Sequence, residues 1–309
     1  MRVVFMGTPD FSVPILKGLI DSEYKVVGVV TQPDRKVGRK RILTPPPVKQ
    51  LATEYNLEVF QPEKIKQDYS RILEWNPDLI ITAAYGQIVP TEILEAPKFG
   101  AINVHASLLP KYRGGAPIHQ SIIDGCKETG ITIMYMVDRM DAGDILKQES
   151  VEIEFTDHVG TLHDKLSLLG RDLLLRTLPD IFNHEIKPTK QNEEEVTYAW
   201  NIKREDERIN WNSKGIEIYN QIRGLNPWPV AYTKYHGKNV KVWTAEPVRL
   251  IHNQEPGTIL KIESDGIVVT SKDADCIKVT ELQLAGKKKQ LVKEILNGNH
   301  EFIEKEQFE

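Results

Sequence analysis

The alternation of short β-rich runs with helical patterns through the first half of the chain restricts the fold more than any other feature. Strand-like runs fall at 2–6, 25–31, 58–61, 79–84, 100–105 and 130–136, and helical patterns at 11–20, 47–55, 71–75 and 117–125 lie between them. This order predicts an α/β domain, with a mostly parallel sheet and helices on both faces. The run Asp78-Leu79-Ile80-Ile81-Thr82-Ala83-Ala84 is nearly all apolar, as a strand covered on both sides must be. Pro14 stands near the start of the first helical pattern, where a missing N–H is tolerated. Residues 158–183 read as one long helix, with Leu162, Leu166, Leu169 and Leu173 forming a single apolar stripe.

The pattern then changes. Residues 185–213 are polar and charged with scattered aromatics, which reads as a surface linker. A short helix is predicted at 214–223, followed by strand-like runs at 230–234, 238–243, 258–263, 266–270 and 276–282. His236-Gly237 and Asp265-Gly266 supply turn signals between them. Five short strands in so few residues predict a small closed or partly open β-barrel. The expected division is a first domain at 1–189, a linker at 190–207 and a second domain at 208–309.

Composition narrows the functional classes. A chain of 309 residues with 27% charged residues is an ordinary globular sequence, long enough for two cores. No apolar run approaches the roughly 20 residues of a membrane span. The start, Met1-Arg2-Val3-Val4-Phe5-Met6-Gly7, reads as a strand rather than a signal or transit segment. A cytoplasmic protein off the membrane, acting as a monomer, is the expectation. Cys126 and Cys276 have no metal-ligand spacing and are read as reduced thiols; no metal is expected. The net charge of −4 means that a polyanionic partner would have to meet a local basic patch.

The stretch 101–117, AINVHASLLPKYRGGAP, holds the main chemical signal. Asn103 and His105 are two apart on a predicted strand, so both side chains leave the same face, about 6.6 Å apart at the Cα atoms. They lie at the strand's C-terminal end, where open α/β sheets bind ligands. An amide can donate to an oxyanion, and an imidazole can donate, accept or shuttle a proton near neutral pH. No Gly-x-Ser-x-Gly elbow accompanies them, and Ser107 has no evident orienting acid. The pair therefore fits stabilisation of a tetrahedral intermediate made by an external nucleophile. Asp138, Asp141 and Asp144 follow at spacings of three, unlike a calcium loop. Asp141, before Ala142-Gly143, is the one expected to face the site.

A second signal is the connection QPDRKVGRKRILTPPP. Arg35, Lys36, Arg39, Lys40 and Arg41 place five cations within seven positions. The connection is far longer than the usual 2–6 residues of a βα loop. It reads as a basic finger for nucleic-acid phosphates. Lys287-Lys288-Lys289 is a weaker cluster of the same kind.

Taken together, these motifs resemble the methionyl-tRNA formyltransferase family. The resemblance is carried by GTPDFSVP at 7–14, AYGQIVP at 84–90, NVHASLLPKYRGGAPI at 103–118, DAGDIL at 141–146, LNPWPVAYT at 225–233 and LAGKKK at 284–289, besides the basic connection. It implies a Rossmann-like catalytic domain and an oligonucleotide-binding-type barrel. It further implies that Asn103, His105 and Asp141 match the catalytic trio, and that Ser107, Leu108, Leu109 and Pro110 match the folate-contacting motif. The formyl donor would be 10-formyltetrahydrofolate and the acceptor initiator methionyl-tRNA, met by Arg35, Lys36, Arg39, Lys40 and Arg41. Formyltransferases with other acceptors would share the 103–110 motif but have no need of a basic finger with a barrel. A nucleotide-dependent dehydrogenase fits less well, because GTPDFS follows the first strand where Gly-x-Gly-x-x-Gly would be required.

Overall fold

The computed structural model describes residues 1–38, 40–298 and 300–309, so Arg39 lies outside the described residues. The chain forms two compact units that are not contiguous in sequence. The first comprises Met1–Pro117, Thr129–Val151 and His163–Ala199, and the second Ile118–Glu128, Glu152–Leu162 and Trp200–Glu309.

The elements from the N-terminus are β1 (Arg2–Gly7), α1 (Val13–Ile20), β2 (Lys25–Val30), β3 (Arg35–Val37), β4 (Ile42–Thr44), α2 (Pro47–Glu54) and β5 (Val59–Phe60). Then come α3 (Ser70–Glu74), β6 (Leu79–Ala83), α4 (Thr91–Glu95), β7 (Ala101–His105), α5 (Pro117–Ile123), β8 (Glu128–Tyr135), β9 (Ile145–Glu152) and α6 (Val159–Phe182). The main sheet runs β5-β2-β1-β6-β7-β8-β9. The five strands from β5 to β7 pair in parallel, as the β-α alternation predicts. β7 and β8 are antiparallel, so the sheet is mixed at that side. The chain builds outward from β1 in one direction and restarts at β6 in the other. The strand order therefore reverses between β1 and β6, which makes their C-terminal ends the place where such sheets bind ligands.

Both faces of the sheet are covered. Val4, Met6, Ile80 and Ala101 pack in one apolar cluster with Ile72 of α3 and Ile93 of α4. On the other face α6 comes close at Gly170, where an added Cβ would sit 2.9 Å from Val104. Of its expected stripe, Leu162, Leu166 and Leu173 are buried and Leu169 is half-buried.

Two segments differ from their sequence expectation. The basic connection, read as a loop, contains a hairpin in which β3 and β4 pair as Arg35↔Thr44, Lys36↔Leu43 and Val37↔Ile42. Its apolar residues Val37, Ile42 and Leu43 are all exposed, so no buried face betrays the strands. Residues 189–199, read as surface linker, belong to the first unit and are bridged to it at Ile145↔Thr189 and Arg113↔Tyr198.

The second unit contains α7 (Gly215–Gly224), β10 (Tyr232–Tyr235), β11 (Lys238–Arg249), β12 (Ile259–Glu263), β13 (Gly266–Val269), β14 (Asp275–Leu284), β15 (Gln290–Leu291) and α8 (Val292–Leu296). Its antiparallel sheet has the order β10-β11-β14-β13-β12, with β15 on β14. The C-terminal segment lies against both end strands. Lys234 and Glu309 exchange backbone hydrogen bonds of 3.1 and 2.9 Å, while Ile259 donates to Glu306 and accepts from Lys305 at 2.8 Å each. Buried Arg223 of α7 donates to the carbonyls of Glu154 and Asp157, at 3.1 and 2.9 Å. These bonds tie the segment 152–162 to the rest of this unit.

Candidate active site

Asn103 and His105 end β7 on the face shared with Ala101, since alternate residues of a strand point the same way. Asn103 pairs in register with Thr82 of β6. The Thr82 hydroxyl donates to Asn103 Oδ1 at 2.8 Å. In this orientation Oδ1 is turned to Thr82 and the two Nδ2 hydrogens are left for a ligand.

His105 is buried, and its Nε2 lies 3.0 Å from the Tyr112 carbonyl. A carbonyl only accepts, so Nε2 carries the hydrogen. The proton position left to change is Nδ1, which faces Asp141 Oδ2 across 3.7 Å. This is too long for a hydrogen bond. Asp141 Oδ2 also accepts from the Gly114 N–H at 2.8 Å. Gly114 has φ +123, and a Cβ there would lie 2.5 Å from the Ala199 carbonyl oxygen. Only glycine can turn its N–H to the carboxylate at that point. The three expected residues therefore converge: an amide donor, an imidazole and a carboxylate.

The 107–110 motif forms the turn after β7. Ser107 is fully buried, with its hydroxyl on the Lys111 carbonyl at 2.7 Å. Thr132 of β8 clamps the turn, donating to the Ser107 carbonyl at 2.6 Å and accepting from the Leu109 N–H at 3.1 Å. Gln148 of β9 adds a bond of 2.8 Å to the Leu109 carbonyl, and the Leu109–Pro110 peptide is cis. Ser107 thus shapes the turn, while Leu108 and Pro110 are the half-buried residues that it presents.

Residues 1–178 match the family described as formyl transferase, and residues 201–300 match the formyl transferase C-terminal domain. A methionyl-tRNA formyltransferase of Bacillus velezensis is 56% identical over 301 residues, covering 97% of this chain and 95% of that protein. The methionyl-tRNA formyltransferase of Bacillus cereus is 58% identical over 300 residues, covering 96% of each. This chain belongs to the methionyl-tRNA formyltransferase family. The fold is also that of the N-formyltransferase of Helicobacter canadensis, solved with folinic acid and dTDP-3-aminofucose, with a TM-score of 0.67, 20% identity and coverage of 90% of this chain and 98% of that one.

The protein is a formyltransferase, with formyltetrahydrofolate as the family's donor. Among the described residues no helix is long and apolar enough to cross a membrane. The cations expected to serve the acceptor are not part of the trio's cluster. Arg35, Lys36, Lys40 and Arg41 are exposed on the β3–β4 hairpin, and Arg35 pairs with Glu63 at 3.0 Å.

The candidate site is also braced by residues that sequence reasoning missed. Thr82 was visible as the one hydroxyl in an apolar strand run. Arg113 and Gly114 stand inside the quoted motif. Gln191 carried no signal, since a glutamine in a polar stretch is commonplace. Arg113 is fully buried and bonds Gln191 Oε1 at 3.1 and 2.8 Å and Glu193 at 3.1 Å. The Arg113 guanidinium holds the Glu193 carboxyl below the usual carboxylate range.

Proposed function

We propose that this formyltransferase moves the formyl group of 10-formyltetrahydrofolate to the α-amino group of methionine on initiator methionyl-tRNA, giving N-formylmethionyl-tRNA for translation initiation. The observation that carries the reading is the convergence of Asn103, His105 and Asp141 at the end of β7.

The α-amine attacks the formyl carbon through its lone pair, so it must first be neutral. A free α-amine has a pKa of about 7.7–8.0, and the adjacent ester lowers it. As the C–N bond forms, the carbonyl π electrons move onto oxygen. Asn103 Nδ2, and His105 Nδ1 when protonated, are the donors available to that oxyanion. The attached amine must then lose a proton and N10 of the folate must gain one. The oxyanion collapses, the C–N10 bond breaks, and tetrahydrofolate leaves with its electron pair protonated. His105 Nδ1 and Asp141 are the groups for this relay. Alignment of two bound substrates supplies much of the remaining acceleration.

On this reading the turn at Ser107, Leu108, Leu109 and Pro110 borders the folate. Arg35, Lys36, Arg39, Lys40 and Arg41 meet the phosphates of the tRNA, and the second unit supports its binding. The protein works as a monomer in the cytoplasm. The test is formyl transfer from labelled 10-formyltetrahydrofolate to charged and uncharged tRNA, by wild type and by Asn103→Ala, His105→Ala and Asp141→Ala. Transfer to charged tRNA alone is expected, with each variant losing about 10²–10⁴-fold in turnover while its melting temperature stays near that of wild type. Near-normal turnover in all three folded variants would remove the trio from the mechanism.

A further inference from the structure

Asp141 stands in the left-handed backbone region, with φ +49, a conformation unfavourable for a residue other than glycine. It persists only where the surroundings enforce it. One side chain does so from fifty positions downstream. Gln191 Nε2 donates to the Asp141 carbonyl at 2.7 Å and to the Gly143 carbonyl at 2.8 Å. Both amide hydrogens are thus used on the two carbonyls of the Asp141 turn. The other end of the amide is used as fully, since Gln191 Oε1 accepts twice from Arg113. A flipped amide would set its oxygen against two carbonyls and its NH₂ against a guanidinium, so the orientation is determined.

The arrangement links the imidazole and the carboxylate of the trio. Tyr112 presents its carbonyl to His105 Nε2, Arg113 holds Gln191, and Gly114 presents its N–H to the Asp141 carboxylate. One three-residue turn therefore fixes the imidazole, the carboxylate and, through Gln191, the backbone that aims the carboxylate. We infer that Gln191 is a positioning residue for Asp141, setting the distance and angle at which the carboxylate meets His105. Its amide hydrogens are both spent on the Asp141 turn. The inference rests on the proposed role of Asp141 in proton transfer.

The experiment is a double-mutant cycle between Gln191→Leu and Asp141→Asn, read as kcat, KM for each substrate and melting temperature. A displaced catalytic group costs rate far more than ground-state binding. Gln191→Leu in the wild-type background is expected to lower kcat about 10- to 100-fold, with KM for the formyl donor within about twofold. In the Asp141→Asn background the same change is expected to cost less than about twofold, because the group it positions is already disabled. Equal losses in both backgrounds would mean that Gln191 does not act through Asp141 and would overturn the inference, as would full turnover in Gln191→Leu. Full turnover in Asp141→Asn alone would instead remove Asp141 from the chemistry, and the role of Gln191 with it. If Gln191→Leu does not fold, Gln191→Asn, which keeps the amide but withdraws it by one methylene, is read in the same cycle.

Discussion

Thr82 does for Asn103 what Gln191 does for Asp141. Its hydroxyl has one hydrogen and three acceptors within reach: Asn103 Oδ1 at 2.8 Å, Met136 Sδ at 3.1 Å and the Ile102 carbonyl at 3.2 Å. The hydrogen goes to the shortest contact and the stronger oxygen acceptor. Thr82→Val keeps the shape and the β-branch that suits a strand, and removes only the donor. The Asn103 amide then loses the bond that orients it. A neutral hydrogen bond is worth about 0.5–1.5 kcal/mol, so kcat/KM is expected to fall by up to about tenfold. Thr82→Ser, which keeps the hydroxyl, should retain most of the activity. Equal kcat/KM in the valine variant and wild type would show that Asn103 needs no such partner.

The strands whose apolar residues are buried were legible, and those stabilised in other ways were not. β1, β6 and β7 announce themselves because Val3–Met6, Leu79–Ile81 and Ile102 are all buried. The hairpin β3–β4 gives no such sign, since its cations and exposed apolar residues follow no burial period. β9 has only Leu146 buried among its residues. Residues 189–199 are held by hydrogen bonds to Arg113 and Ile145, which no hydropathy pattern encodes. The candidate trio could be named from residue types and strand position, whereas the bonds of Gln191 to the Asp141 turn depend on tertiary folding. The C-terminal segment is the clearest case of the same kind. Phe308 is buried, stacks on Trp211 at 5.9 Å and meets Tyr235 edge-on at 5.4 Å, while its neighbours bond both β10 and β12. Phe308→Ala is expected to destabilise the second unit by roughly 3–5 kcal/mol. The loss should appear as faster amide exchange at Lys234 and Ile259, whose N–H groups donate to Glu309 and Glu306. Unchanged protection at both amides would mean that the segment only rests on the sheet.

Across the molecule the charge balance opposes a polyanion, with 44 acidic residues against 40 Lys and Arg. Binding of tRNA must then come from local cations, and its salt dependence counts them. Each phosphate neutralised contributes about 0.7–0.9 to the slope of log affinity against log salt, through counterion release. Lys40 and Arg41 are exposed at the hairpin, next to Arg39 in the sequence. Replacing Arg39, Lys40 and Arg41 by Gln should raise KM for methionyl-tRNA and flatten that slope by as much as about 2–3, if all three meet phosphates. KM for the formyl donor should not change, because none of the three belongs to the trio or to the 107–110 turn. The measurement is a series of KM values for both substrates from low to high salt, in wild type and in the triple variant. A purely structural role for the hairpin predicts parallel lines with a common offset. A role in meeting phosphates predicts lines that converge as salt rises, since screening removes from the wild type what the substitution has already removed from the variant. Parallel lines would exclude the hairpin from tRNA binding and leave the cations of the second unit, Lys287, Lys288 and Lys289, as the next to test.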